Sequence, residues 1–586
     1  MKRNAIWYKV GWGVLLIMLM MSCKKFVDPA LIFEKEPENT KVKTRKVLII
    51  AVDGLSGIAL EKYTPQHIQK LLEHAKYTYA GLSDASSGDA STWATLLSGK
   101  SSAKHGVYGD SFEEDIDEDD PHGHNSSGQA TGYITFFQRI LEQGKRMRSF
   151  SATSWQELDD NALDYAETRI VKANDEEVKK TAIDTLKSTL TNTSFGVINF
   201  RGVNEAGKSG GFSLSNAAYK AAIDKIDGYI GEIKAAIEGR SAYENEDWLI
   251  VVTANHGGLG QGYGGASLEE RKIPIILYNP NFVGQKMEAP ALVNSMEIKT
   301  KDANMPTITA ANTDIYDIKD DKEYTIMCKV KNNVKPTGGN HAVILGRVTH
   351  AYTGGNGWAF MIEGANTGKY RFYLADKNAS NNQLQVVGSL AGEVGKWETL
   401  AVKLYKKDDG KRYAKFYVNG VAGEERDITT GRGSFQAPTA NFFVGSGNVS
   451  SVGTFNGMVN NLVFVTKALS DEEIQSYNCL GTVDESTSFW SQTAGFWSMD
   501  DIGQRTFKNK VATSLDTDFK FPNGNYTWNL NAKWNCLSEQ ENAKFFIMNQ
   551  YDIVPQIAYW MDIKPQDSWL LDGKLFLDKY EMEFLK

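Results

Sequence analysis

The sequence is poor in the residues that would make it a disulfide scaffold, a zinc-ribbon protein or a polytopic membrane protein. Four cysteines in 586 residues cannot form a disulfide framework, and no CxxC or Cys/His pair with metal-ligand spacing occurs. Beyond Cys23 only Cys328, Cys479 and Cys536 remain, so at most one bridge can form among them, and spacing does not say which. Past the amino terminus no segment is apolar enough to cross a bilayer. Positive charge is not in excess either. Lys and Arg number 64 against 72 Asp and Glu, a formal net charge of −8, which gives no footprint for nucleic acid. Aromatics, by contrast, are plentiful (13 Trp, 25 Tyr, 27 Phe), and 53 Gly imply many tight turns. The length calls for two or three domains.

The amino terminus carries a positive start at Lys2 and Arg3, the short apolar core "VLLIMLMM", and Ser22 directly before Cys23. This resembles a bacterial lipoprotein signal peptide, which would span residues 1–23 and leave Cys23 as the lipidated end. The pattern departs from the usual one at Met20, where leucine is common. The apolar stretch is shorter than the roughly 20 residues a spanning helix needs, which favours lipidation over a plain anchor or an ordinary secretory signal. Residues 24–45 follow as a tether.

From residue 46 to about 285, buried apolar runs alternate with amphipathic stretches. "KVLIIAVD", "SFGVINF", "DWLIVVTANHGG" and "KIPIILYNPNF" read as strands. "TPQHIQKLLEHAK", with Thr64 as N-cap, "STWATLLSG", "TGYITFFQRILEQGK" and "SNAAYKAAIDKIDGYIGEIKAAIEG" read as helices. That order predicts a mostly parallel sheet covered by helices on both faces. From about 320 to 466 the pattern changes to short alternating runs punctuated by Gly, Asn and Asp, which predicts an all-β sandwich. "GKWETLAVKLYKKDDGKRYAKFYVNGVAG" and "FNGMVNNLVFVTKALSDEEIQ" resemble a laminin-G-like (concanavalin-like) jelly roll over residues 315–480.

"VLIIAVDGLSG", "TPQHIQKLLEHA", "STWATLLSGKSSAKHGVYGD", "VVTANHGG" and "YDIVPQIAYWMDIKPQDSWLLDG" stand in the order found in the alkaline phosphatase superfamily, and most resemble its type I phosphodiesterase/nucleotide pyrophosphatase branch. The resemblance implies a discontinuous α/β domain, residues 46–290 completed by 500–586, with the jelly roll inserted between. It also implies two zinc ions held by Asp and His, and a Thr or Ser nucleophile.

Carried over position by position, the pattern is largely altered. Asp53 matches the first metal-ligating aspartate. The nucleophile position, ten residues before Gly99, holds Asp89. The Asp-x-x-x-His positions hold Asn204 and Lys208, the Asp-His dyad is Asn255-His256, and no histidine follows before His341. One metal site is therefore expected to be lost, since an ammonium is no zinc ligand. The other could be a weak site for one divalent cation (Mg²⁺, Ca²⁺ or Zn²⁺) built from Asp53, Asp89, Asn255 and His256. The favoured expectation is a relic in which Lys208 neutralises Asp53 and Asp89 and no cofactor is held.

Other features have bland readings. The acidic run 111–125, with His122 and His124, reads as a solvated loop over a surface cation site. His105 reads as structural, and "GYGGASLEER" as a flexible glycine loop at the mouth of the site. Trp358, Tyr370, Tyr373 and Trp397 are candidates for a glycan-stacking platform, although sandwich aromatics are usually core. Trp490, Trp497 and Trp528 are expected to pack between domains. The leading expectation is a non-catalytic outer-membrane surface lipoprotein with glycan or peptide ligands. By analogy with Bacteroidota-type lipoproteins, it would accompany a nutrient transporter. The alternatives are a hydrolase of phosphodiester, phosphomonoester or sulfate bonds with an atypical one-metal site, and a jelly roll that binds while the larger domain acts as a spacer.

Overall fold

The computed structural model describes residues 43–584 apart from 113–132, 144–146, 191, 300–303, 335–340, 350–354, 365–366, 377–382, 431–432, 446–452, 454, 502–504, 522–525, 535, 538 and 543. Cys23 with residues 24–42 of the tether, and residues 113–125 of the acidic run with His122 and His124, lie outside the described residues.

The first layer is an eight-stranded sheet. In chain order its strands are β1 (Thr44–Val52), β2 (Ala75–Leu82), β3 (Ser149–Thr153), β4 (Thr168–Val171), β5 (Phe195–Phe200), β6 (Glu246–Thr253), β7 (Lys272–Tyr278) and β8 (Gln285–Lys286). Their spatial order is β4-β3-β5-β1-β6-β7-β2-β8. β4, β3, β5 and β1 pair in parallel, while β7 runs antiparallel to both β6 and β2. The sheet is thus mixed, its departure from parallel confined to one side. The apolar runs of β1 and β5 are buried along Val47–Val52 and Phe195–Phe200, as strands covered on both faces must be.

Local punctuation differs from the sequence reading at one helix. It spans Gln66–Leu72 with Pro65 at its cap position. The Thr64 hydroxyl turns back to donate to Leu60 O at 2.8 Å, so it does not cap, and residues 75–82 peel off as β2. Helix α1 (Asp89–Ser98) is buried along its length and ends at Gly99 in the left-handed region, φ 71°. A side chain there would meet Val554 Cβ at 2.8 Å. Only glycine fits, because helix α2 (Ile553–Trp560) packs close by.

That approach belongs to a carboxy-terminal return of the chain. Leu82 N donates to Met548 O at 2.9 Å, and Gln550 Nε2 donates to Ala254 O and Asn255 O, each at 3.0 Å. Asp572 Oδ2 accepts from Ser101 N and Ser101 Oγ at 2.8 Å.

Between these two pieces stands an antiparallel β-sandwich. One sheet orders Gln383–Ala391, Lys369–Ala375, Gly357–Ile362, Ala342–Val348, Phe442–Val444, Thr307–Ile308, Phe519–Lys520 and Thr506–Phe507. The other orders Val421–Asp427, Arg412–Val418, Trp397–Lys406, Tyr324–Asn332, Asn456–Val465, Leu292–Lys299 and Trp528–Ala532, with Thr493–Trp497 also on Asn456–Val465. The sandwich therefore reaches well past 315–480. Thr506–Phe507, Phe519–Lys520 and Trp528–Ala532, within the 500–586 stretch assigned to the α/β domain from sequence, pair as its strands, as does Thr493–Trp497. Their cause is visible in the core, where Trp497, Phe507 and Phe519 are buried and Trp528 packs alongside. Trp490 packs on a second cluster, with Tyr477 and Phe489. None of this trio is interdomain filler.

The ends of the insertion pair with each other, Leu292 opposite Ala532 and Met296 opposite Trp528. Cys479 and Cys536 form a disulfide with Cα atoms 5.2 Å apart, and Cys328 is free and buried. Beside that bridge Lys329 is fully buried and donates to Thr399 Oγ1 (2.8 Å), Tyr477 O (3.0 Å) and Asn478 O (2.8 Å). It serves the last carbonyls of the helix Asp471–Cys479, and burial pushes its ammonium down to about 7.

Candidate functional site

The carboxyl ends of β1, β5 and β6 converge, and each delivers a polar residue there. β1 ends on Asp53, whose backbone N–H donates to Phe200 O at 2.8 Å. Gly54 follows with φ 73°, and a Cβ on it would lie 2.8 Å from Asn204 Cα, so a glycine is required. β5 is followed by Arg201, held by its N–H to Asp175 Oδ1 at 3.0 Å. β6 is followed by Asn255 and His256. The amino end of α1 brings Asp89 into the same place, and the glycine-rich loop after His256 brings Tyr263.

Asp89 is the centre. It is 4% exposed, and its carboxylate accepts from four side chains. Oδ1 takes Asn255 Nδ2 at 2.8 Å and His256 Nε2 at 2.9 Å. Oδ2 takes the Tyr263 hydroxyl at 2.9 Å and Arg201 Nη2 at 3.3 Å. Tyr263 stacks on the His256 ring with centroids 3.9 Å apart. Arg201 lies over the Trp155 ring at 4.5 Å and places its Nε 3.6 Å from Asp53 Oδ2. Asp53 Oδ1 accepts from Trp93 Nε1 at 3.0 Å, one helical turn along from Asp89.

The two carboxyls are pushed in opposite directions. Full burial, then the Asp89 charge, raise Asp53 to about 7 against the pull of Arg201 and His256. Burial also works against Asp89. There the hydrogen bond and charge of His256, with Arg201 and Tyr263, outweigh it and hold the group at about 2. His256 faces an acceptor at each nitrogen, since Nδ1 lies 2.6 Å from Gly257 O. Arg201, ion-paired with both acids, is the permanent counter-charge of the cluster.

This donor set does not fit a metal ion. Asn255 Oδ1 is taken by the backbone N–H groups of Gly54 (3.1 Å) and His256 (2.7 Å). Backbone N–H groups only donate, so the Asn255 amide must turn its nitrogen toward Asp89. His256 Nε2 is spent on Asp89, and a guanidinium sits between the two carboxylates where a cation would repel it. Among the described residues no group of three or more His, Cys, Asp or Glu is arranged to hold a metal.

Several expected residues behave differently. Lys208 is exposed, its Nζ 5.9 Å from the Tyr263 ring centroid, and forms no ion pair with Asp53 or Asp89. Arg201, which the sequence reading passed over, has that role. The cue was available, because Arg201 is the first residue after a buried strand. Asn204 is fully buried beside Tyr263, with no well-aligned hydrogen bond to either amide atom. Trp358, Tyr370 and Tyr373 are fully buried. Trp358 lies in the sandwich core and donates through Nε1 to Tyr316 O at 3.1 Å, and the Tyr370 hydroxyl donates to Glu398 Oε2 at 2.6 Å. Buried rings cannot stack on a sugar, and Trp397 is half-buried edge-on against Trp534. These four make no exposed platform. His105 is structural, its Nε2 at 2.9 Å from Thr95 Oγ1.

Comparison with known proteins agrees with both layers. Residues 47–260 match the family model for type I phosphodiesterase / nucleotide pyrophosphatase. Residues 306–475 match that of the concanavalin A-like lectin/glucanases superfamily, of laminin-G type. No curated protein matches the chain. Among solved structures, BT1596, a 2-O GAG sulfatase, is similar at 13% identity over 42% of this chain and 65% of that one, TM-score 0.32. Murine ectonucleotide pyrophosphatase/phosphodiesterase 5 is similar at 17% identity over 37% and 59%, TM-score 0.30. A SAP-like pentraxin from Limulus polyphemus is similar at 12% identity over 36% and 92%, TM-score 0.23. The chain thus spans less than two thirds of the first two relatives. It carries a type I phosphodiesterase-like α/β domain and a laminin-G-like β-sandwich.

Proposed function

We propose that the phosphodiesterase-like domain is non-catalytic and that the protein works as a binding or accessory component. The observation that carries this is the environment of Asp89. The position expected to present a nucleophilic hydroxyl presents instead a carboxylate that is ionised, buried and bonded by Asn255, His256, Tyr263 and Arg201. A carboxylate so stabilised is a poor nucleophile.

The proposal extends to location. The leader ending in Cys23 favours a lipoprotein of the outer membrane, and the Cys479–Cys536 disulfide favours an oxidising compartment over the cytoplasm. An outer-membrane transporter as partner, and glycan or peptide ligands for the laminin-G-like domain, belong to the same proposal. Any ligand surface would lie away from Trp358, Tyr370 and Tyr373.

The test uses the chain from residue 24 with a chromogenic phosphodiester, a phosphomonoester and an aryl sulfate, each with Mg²⁺, Ca²⁺ or Zn²⁺. No turnover and no stoichiometric metal are expected. Turnover abolished by Asp53→Ala would establish the rival reading, a one-metal hydrolase. Metabolic labelling with palmitate, lost in Cys23→Ser, checks the anchor.

A further inference from the structure

We infer that the Asp89 side chain is an internal ligand, and that the place it fills is a cradle for a small oxyanion. Four side-chain donors from two chain segments, one after β5 and one after β6, meet on its two oxygens: Asn255 Nδ2, His256 Nε2, Tyr263 OH and Arg201 Nη2. One of these donors, Arg201, is permanently cationic, and none is a metal ligand in this geometry. Charge-assisted donors of this kind recognise carboxylate, phosphate and sulfate alike. In most carboxylate clusters the acid serves the surrounding chain. Here the surrounding chain is built to serve the acid, and each donor is itself held from behind. Asn255 is fixed through its oxygen by Gly54 and His256, His256 through Nδ1 by Gly257 and by Tyr263 stacking, and Arg201 by Trp155. Donors fixed in this way keep their aim when the group they point at is removed.

A second observation lies in the same place. Asn204 is fully buried beside Tyr263, its amide atoms, like Asp53 Oδ2 and Arg201 Nε, lacking a well-aligned partner. The locus thus holds more hydrogen-bonding capacity than Asp89 alone uses. Two acidic neighbours define its limits. Asp110 Oδ1 takes the Asp89 backbone N–H at 2.8 Å, and Asp53 shares Arg201. The cradle therefore suits a monoanion better than a dianion.

The wild-type protein is self-occupied. Its site binds no free oxyanion because a covalently attached one is already there at very high effective concentration. The inference deepens the non-catalytic reading and rests on it.

The experiment is cavity rescue. Asp89→Gly removes the internal ligand, and its thermal midpoint is measured in formate, acetate, sulfate and inorganic phosphate against chloride at matched ionic strength. A saturable rise of several degrees is expected for Asp89→Gly and none for wild type. Adding Arg201→Gln to Asp89→Gly is expected to abolish the rise. Formate and acetate in preference to phosphate would identify a planar carboxylate cradle, and the reverse order a tetrahedral one. Either order supports the cradle, and preference for sulfate or phosphate would overturn only its expected selectivity for a monoanion.

Asp89→Asn keeps the shape of the side chain and serves as the control, expected to fold and to remain closed to oxyanions. Should Asp89→Gly not fold, isothermal titration of wild type and Asp89→Ser with the same anions decides. Binding by Asp89→Ser alone supports the inference. Equal binding by wild type, or none by the serine variant, overturns it. A folded Asp89→Gly that ignores all four anions also overturns it while leaving the non-catalytic reading intact. Hydrolysis by wild type would instead remove that reading.

Discussion

Replacing Asp53 with asparagine should stabilise the protein at alkaline pH and do nothing at acid pH. Asp53 is fully buried, and its carboxyl titrates at about 7 in place of 3.8. As pH rises through 4 the unfolded chain releases this proton while the native protein keeps it. Between the two values the native state binds more protons, so wild-type stability falls with rising pH, by about 1.4 kcal/mol per pH unit, until the native carboxyl also ionises. Three such units set an upper bound of about 4 kcal/mol near pH 8. Asparagine imitates the protonated acid. Its oxygen can still accept from Trp93 Nε1. Asp89 contributes with the opposite sign, since its lowered value gives stability that is present above about pH 4 and lost toward pH 2. That contribution is common to both proteins and cancels in the difference. Urea unfolding from pH 4.5 to 8.5, followed by far-UV circular dichroism, should show the curves for wild type and Asp53→Asn coinciding at the acid end and separating above neutrality. A gap that is constant with pH, or a variant less stable at pH 8, would mean that Arg201 keeps Asp53 ionised throughout and would refute the reasoning.

Other outcomes follow from single contacts. Arg201→Met leaves two buried carboxylates facing each other without their guanidinium and should lose about 3–5 kcal/mol in urea unfolding, whereas Lys208→Met should be nearly silent. Cys479→Ser with Cys536→Ser opens a bridge across 57 residues of sequence. Loop-closure entropy puts the loss at about 4 kcal/mol, read as a lower midpoint of the sandwich transition under oxidising conditions only. Trp358→Ala should cost the sandwich about 3–5 kcal/mol; an unchanged midpoint with altered glycan-array binding would restore the surface role that its burial denies.

The strands that lead into the site were legible because burial on both faces leaves a continuous apolar run, as in "KVLIIAVD" and "LIVVT". β2 was not, because "AKYTYAGL" follows a helix without a break signal and pairs antiparallel near the edge of the sheet. The altered positions Asp89, Asn204 and Asn255 could be named from spacing, but not what replaced the metals. Lys208 attracted attention because it occupied a motif position. Arg201 neutralises the acids because β5 aims it there, and motif spacing carries no direction of aim. Tyr263 was hidden for a related reason. A glycine-rich loop reads as slack, yet here it carries a ring that stacks on His256 and bonds Asp89. In the sandwich, Tyr370 stands between Lys369 and Arg371, which places it on one face of a strand without saying whether that face is covered.

The insertion also sets a timetable. Gln550 holds the carbonyls of Ala254 and Asn255, and 295 residues separate it from Asn255. At about 5–20 residues per second, Asn255 waits about 15–60 seconds during synthesis before that amide exists. Throughout that interval the rim of the sheet around Asn255, and the face of α1 that α2 covers, stand bare while the sandwich is being made and can close on its own paired ends. The cluster around Asp89 is therefore among the last parts of the molecule to be secured, and a chain arrested between residues 536 and 550 would carry a finished sandwich joined to an unfinished α/β domain.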